Sequence, residues 1–178
     1  MKRPLTAIAA ALVLSAAASA HIVLADPEAE AGSYYAGAFR VGHGCDGKAT
    51  TSVEIEIPDG ILTARPRPKP GWTIAVKTAP LAEPVAAEGG RQITERTVSI
   101  AWSGELSPDQ FDEFEILMKL PAGEGPIYFP VVQTCGGDAV AWTDIPAAGQ
   151  AWHDVPHPAP VLTLIAPAGH DGHAGHGP

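Results

Sequence analysis

Sulfur-containing side chains are scarce in this sequence, which has two cysteines and two methionines among 178 residues. A soft metal site needs several thiolate or thioether ligands, and neither Cys45 nor Cys135 has a second cysteine nearby. This scarcity disfavours a sulfur-rich metal site, a zinc site and a thiol nucleophile. If the chain is exported, the simplest prediction for the two cysteines is a structural disulfide.

Basic residues are also few, with 11 Lys and Arg against 20 Asp and Glu and a formal net charge of −9. The nearest approach to a basic cluster is "RPRPKPGW", where Arg65, Arg67 and Lys69 alternate with prolines. That pattern is typical of an extended, solvated loop. Because nucleic-acid binding requires a basic surface, the composition excludes nucleic acid as a partner.

Only one long apolar run is present, and it lies at the start of the sequence. Lys2 and Arg3 precede "LTAIAAALVLSAAA", which is short for a membrane span of ~20 residues, and the small residues of "ASA" end at Ala20. We predict a signal peptide over residues 1–20, a mature chain without a membrane span, and a periplasmic or secreted location. Removing Lys2 and Arg3 takes the formal net charge from −9 to −11.

Helical periodicity is absent, whereas alternation with a period of two is frequent. Segments such as "SYYAGAFRVG", "TSVEIEIPDG" and "RTVSIAWSG" alternate in this way and are separated by Gly, Pro and Asp. About seven or eight short strands of this kind predict an all-β domain over residues 21–166, an antiparallel β-sandwich of immunoglobulin-like type. Trp72 and Trp102 are predicted to be core aromatics.

Two glutamates share one face of a predicted strand. In "TSVEIEIP", Val53, Ile55 and Ile57 alternate with Glu54 and Glu56, so the apolar residues face inward and both carboxylates face the opposite way. Taken alone, this pattern indicates an ordinary solvent-facing strand surface.

The end of the chain, residues 167–178, is polar and histidine-rich. Its His170, His173 and His176 recur every third residue, and the segment has too little apolar surface to fold. Its composition is typical of metal binding, and the alternative is a flexible, solubilising tail. The spacing of His153 and His157, which flank prolines before the last predicted strand, gives no indication of a metal site.

His21 would become the first residue after cleavage, and it would then have two nitrogen donors. Its α-amine and its imidazole Nδ1 could close a six-membered chelate ring around one metal ion. Amines and imidazoles release their protons at modest cost around neutral pH, and Cu(II) favours such nitrogen donors. The alternative is that a histidine follows the cleavage site by chance.

Several segments together resemble the YcnI-like domain of bacterial exported copper-binding proteins. They include "HIVLADPEAEAGSYYAGAFRVGHGCDG", "PKPGW", "IYFPVVQTC", "AWTDIPAAGQ" and "HPAPVLTL", and the resemblance extends from His21 to Ala166. It implies a β-sandwich that binds Cu(II) through the N-terminal histidine, with a carboxylate from an early strand and a tryptophan over the metal.

On this sequence, the resemblance assigns the histidine to His21 and the tryptophan to Trp142. It assigns the carboxylate to Glu54 as first choice and Glu56 as second, and the tail histidines could add weaker sites. The implied function is non-enzymatic copper storage, delivery or homeostasis, with another periplasmic or membrane copper protein as donor or acceptor. The alternatives are a copper-dependent oxidase or oxygenase and an interaction sandwich without metal.

The proposed cleavage generates the first prediction. The intact mass of the exported protein should correspond to a chain that begins at His21, because "ASA" precedes that residue. A mature chain that begins at any other residue would lack the amine and imidazole pair and would contradict the copper hypothesis.

Overall fold

The computed structural model describes residues 21–168, which form three β-sheets. The predicted signal peptide and His170, His173 and His176 lie outside the described residues. The first sheet contains, in spatial order, β1 (Val23–Leu24), β3 (Tyr34–Val41), β8 (Asp112–Lys119) and β5 (Ala64–Pro66). The second contains β11 (Asp138–Trp142), β10 (Val131–Cys135), β4 (Thr50–Glu56), β7 (Gln92–Leu106) and β6 (Thr73–Ala86). A third, small sheet contains β2 (Glu28–Glu30), β12 (Val161–Ile165) and β9 (Gly125–Tyr128).

The two larger sheets enclose the core between their apolar faces. Alternate residues of β4 and β8 are buried, as their period of two requires, and the Trp102 ring of the second sheet lies 5.5 Å from the Phe114 ring of the first. Strand pairing within both larger sheets is antiparallel, while β2 and β12 of the small sheet pair in parallel. The predicted antiparallel β-sandwich is confirmed. Trp102 is a core residue, and Trp72 packs partly buried against the same core.

The predicted disulfide is also confirmed, because Cys45 and Cys135 are bonded with their Cα atoms 5.7 Å apart. Cys45 lies in the turn before β4, and Cys135 ends β10, so the bond ties this turn to the second sheet. The turn is tight enough to require glycine at position 44, where a Cβ atom would overlap the carbonyl oxygen of Lys48.

The first strand is anchored by burial, by its pairing with β3 and by a hydrogen bond from a tyrosine side chain. Ile22 and Leu24 are buried in the core, and β1 pairs with the end of β3, where Val23 lies opposite Arg40. Just after β1, the Tyr35 hydroxyl donates to the carbonyl oxygen of Asp26 at 2.5 Å. Burial, with a smaller effect from the charge of Asp26, raises the pKa of Tyr35 to about 12. Because β1 is buried and pairs with the end of β3, His21, which precedes β1, lies at the end of the sandwich where β3 ends.

The disulfide generates the second prediction. It closes a loop across a sequence separation of 90, so its reduction should lower the free energy of unfolding by roughly 4–5 kcal/mol in the chain-entropy model. Thermal melting should then shift down by about 10 °C or more. Intact mass without reductant should show no free thiol. The control is the double variant Cys45→Ser and Cys135→Ser, whose melting temperature should not respond to reductant; a parent protein equally indifferent to reductant would contradict the prediction.

Candidate functional site

The His21 imidazole lies against two indole rings. Its centroid is 5.7 Å from that of Trp142, with an interplanar angle of 68°, and 5.1 Å from that of Trp152, with an angle of 59°. The resemblance named the first tryptophan, and the structure brings it to His21. Sequence analysis missed Trp152.

Trp142 is placed by the register of three strands. It is the last residue of the edge strand β11, where it lies opposite Val131 of β10, and Val131 lies opposite Ile55 of β4. Residues paired in this way project to the same side of a sheet, so Trp142 shares the core-facing side with Ile55. Only 7% of its surface is exposed.

A buried polar network fixes the orientation of the Trp142 ring. Its Nε1–H donates to Oε1 of Gln133 at 3.2 Å, and Nε2 of Gln133 donates to Oγ1 of Thr50 at 2.8 Å and to the carbonyl oxygen of His43 at 3.0 Å. Gln133 and Thr50 are almost completely buried. Thr50 Oγ1 lies 3.7 Å from Sγ of Cys135, so the network extends from the disulfide to the indole beside His21.

The second indole belongs to the connection between β11 and β12, residues 143–160, which we call the β11–β12 loop. Asp144 closes the neck of this loop with three hydrogen bonds. Its N–H donates to the carbonyl oxygen of His157, its carbonyl oxygen accepts from the N–H of Ala159, and its Oδ2 accepts from the N–H of His157, each at 2.9 Å.

The β11–β12 loop contributes an indole and an imidazole to the surroundings of His21 and Trp142. Trp152 begins a short 3-10 turn, Trp152–Asp154, and its Nε1–H donates to the carbonyl oxygen of buried Ala159 at 2.7 Å. The His157 ring lies 5.4 Å from the Trp142 ring. Sequence spacing gave no signal for His157, because a fold-back of the loop brings it there. The one available signal was the motif "AWHDVPHPAP", which combines one tryptophan and two histidines with three prolines in ten residues.

Glu54, the predicted carboxylate ligand, lies on the outer face of the second sheet. It pairs with Val132 and Ala101, so it projects to the opposite side of the second sheet from Ile55 and Trp142. Its carboxylate accepts hydrogen bonds from Lys77 Nζ and Ser99 Oγ, both at 2.8 Å. These partners lie on β6 and β7, across β4 from the strand that carries Trp142.

The hydrogen bonds to the Glu54 carboxylate change its pKa. The hydrogen bond from Lys77, followed by that from Ser99, lowers the pKa of the Glu54 carboxyl group.

Glu56 shares the outer face with Glu54 and is exposed. The structure therefore does not bring either glutamate to His21, which corrects the expectation that one of them completes a site there. The physical reason is the alternation of side chains along β4.

Within residues 21–168, no group of three or more His, Cys, Asp and Glu side chains is arranged to hold a metal ion. The two indole N–H groups are bound to protein oxygens, so among the rings gathered here the imidazoles of His21 and His157 are the ones whose nitrogen atoms could bind a metal. Neutral imidazole suits copper, zinc and nickel.

The fold and this site define an immunoglobulin-like, disulfide-bonded β-sandwich in which one histidine ring contacts two tryptophan rings. The chain belongs to the family described as "Domain of unknown function (DUF1775)", whose model matches residues 21–164. It is similar to a solved structure titled "Crystal structure of an uncharacterized protein from Nocardia farcinica reveals an immunoglobulin-like fold", with 32% identity and a TM-score of 0.62. The match covers 82% of this chain and 99% of that one.

A comparison with curated proteins gave no significant match. Within residues 21–168, no helix has the length and apolar character needed to span a membrane. The disulfide is typical of proteins that fold outside the cytoplasm.

The buried network generates the third prediction. Gln133→Leu preserves the approximate size of the side chain but leaves the buried Nε1–H of Trp142 without its acceptor. The free energy of unfolding should fall by about 1–3 kcal/mol, measured by chemical denaturation. The matched control is Gln92→Leu at an exposed position of β7, which should change stability little. Equal stability of the two variants would show that the network does not stabilise the fold.

Proposed function

We propose that the mature protein begins at His21, binds Cu(II) through that residue, and serves copper storage, delivery or homeostasis in the periplasm or outside the cell. The observation that carries the proposal is the position of the His21 imidazole against Trp142. This pairing was expected from the resemblance to YcnI-like copper-binding domains, which assigned the same two residues from sequence.

The chemistry of the mature terminus supports copper over other divalent ions. Cleavage after Ala20 would convert an amide nitrogen of His21 into an amine, which can bind a metal together with Nδ1 of the same residue. Two neutral nitrogen donors favour Cu(II), which lies at the peak of the divalent affinity order. Because both donors must be deprotonated, binding should weaken in acid.

The small number of protein donors supports transfer. A storage cage would surround the ion with side chains, whereas the described residues provide no cluster of three His, Cys, Asp or Glu ligands. The remaining coordination positions would be taken by water or by a donor or acceptor protein. The predicted mature net charge of −11 also attracts cations in general.

The carboxylate and the tail are separate parts of the proposal. The resemblance implies an acidic ligand from β4, but Glu54 is engaged by Lys77 and Ser99 on the outer face. We therefore expect the tight site to form without Glu54 or Glu56.

His170, His173 and His176 are proposed to bind further copper weakly, so a chain that ends after Pro167 should keep one tight site.

The fourth prediction tests the His21 chelate. His21→Ala removes the imidazole, and one extra residue before His21 converts the amine into an amide. Each change should weaken Cu(II) binding by more than about 100-fold, measured by competition with a chelator, since each removes one of two anchoring nitrogens. The fold should survive both changes.

Two controls make this test specific. Glu54→Gln should retain the parent affinity because the carboxylate faces away from His21, and His153→Ala should retain it because this exposed imidazole contacts Asp154. A His21→Ala variant that kept tight binding would refute the proposal. If Glu54→Gln weakened Cu(II) binding while His153→Ala did not, the Glu54 carboxylate would be a copper ligand after all. If the bound copper were coordinated by two imidazoles, the oxygenase alternative would be favoured.

A further inference from the structure

We propose that Trp152 is a positioning residue that, together with Trp142, fixes the ring orientation of His21 and so prepares its Nδ1 for chelation. This inference rests on the proposed copper function and deepens it. It assigns a role to the β11–β12 loop, to which the sequence pattern assigned none.

The geometry supports this role because the imidazole has indole neighbours from two different elements. Trp142 is fixed on β11, and Trp152 approaches from the β11–β12 loop with a centroid distance of 5.1 Å, the shorter of the two. Both rings are steeply inclined to the imidazole, at 68° and 59°. Two inclined neighbours restrict rotation of the imidazole about its side-chain bonds more than either one alone.

Neither indole donates its N–H group to the imidazole of His21. An indole has a single donor, and that of Trp142 is bound to Gln133 while that of Trp152 is bound to the carbonyl oxygen of Ala159. Neither tryptophan therefore competes for Nδ1 or Nε2 of His21. The contact positions the ring without occupying its ligand atoms.

Trp152 is itself held firmly enough to act in this way. Its acceptor residue, Ala159, is fully buried and donates its own N–H to Asp144, which closes the neck of the loop. The 3-10 turn is closed at Ala151, whose N–H donates to Oδ2 of Asp154 at 3.1 Å.

The same tryptophan also lies beside the strand that follows His21. It lines an apolar depression of about 210 Å³ with Val23, Leu24, Pro27 and Val161. Trp152 therefore adjoins both the imidazole and the backbone that carries it. A ring that is already oriented loses less freedom when it binds metal, and this difference corresponds to about a 2- to 10-fold gain in affinity.

The fifth prediction concerns Trp152→Leu in the full mature chain that begins at His21. Cu(II) affinity should fall by about 2- to 10-fold, and the electron paramagnetic resonance spectrum of the bound Cu(II) should change because the imidazole is less constrained. In the metal-free protein, the ring-current shifts of the His21 imidazole protons should also change. Trp152→Phe should restore most of the affinity and the parent spectrum, since it keeps an aromatic ring beside His21.

The matched control is Trp72→Leu, which removes another half-buried indole whose ring packs 4.9 Å from Phe114 in the core. This control should lose stability but keep the parent copper spectrum. A folded Trp152→Leu variant with the parent affinity and spectrum would overturn the inference. Tight binding in His21→Ala would instead refute the copper function, so the two failures are distinguishable.

Discussion

The alternation of side chains across pleated strands is the constraint on which this structure depends. It buries Val53 and Ile55 of β4 against the opposite sheet and places Glu54 outside. Carried through the antiparallel register to β10 and β11, the same alternation turns Trp142 toward the core side, where it meets His21. A one-residue change of register in β10 or β11 would reverse this placement and separate the indole from the histidine.

Buried polar groups connect the stability of the fold to the site. The amide of Gln133 would be costly to bury without partners, and the Trp142 indole, Thr50 and the His43 carbonyl satisfy it. Because His43 and Thr50 flank the turn that contains Cys45, the disulfide and the indole belong to one network. The motif "GHGCDG" is thus a structural element that supports the site from a distance.

The β11–β12 loop is an irregular segment whose own hydrogen bonds fix the positions of its side chains. Asp144 uses its N–H, its carbonyl and its carboxylate to hold His157 and Ala159, which brings the two ends of the loop together. Trp152 is then anchored to Ala159 and projects toward His21. Such a loop orders the Trp152 indole beside His21 and the His157 imidazole beside Trp142.

Local pattern in the sequence determined the strands, their buried faces, the cysteine pair and the separation of Glu54 from Ile55 across one strand. Resemblance to known sequences added His21 and Trp142. Only the tertiary structure decided that Trp152 and His157 join this site and that Glu54 does not, because these outcomes depend on strand order, register and the path of the β11–β12 loop. Such properties are set by contacts between residues far apart in the chain. His21 precedes β1 and Trp142 ends β11, and no periodicity within either strand encodes their contact.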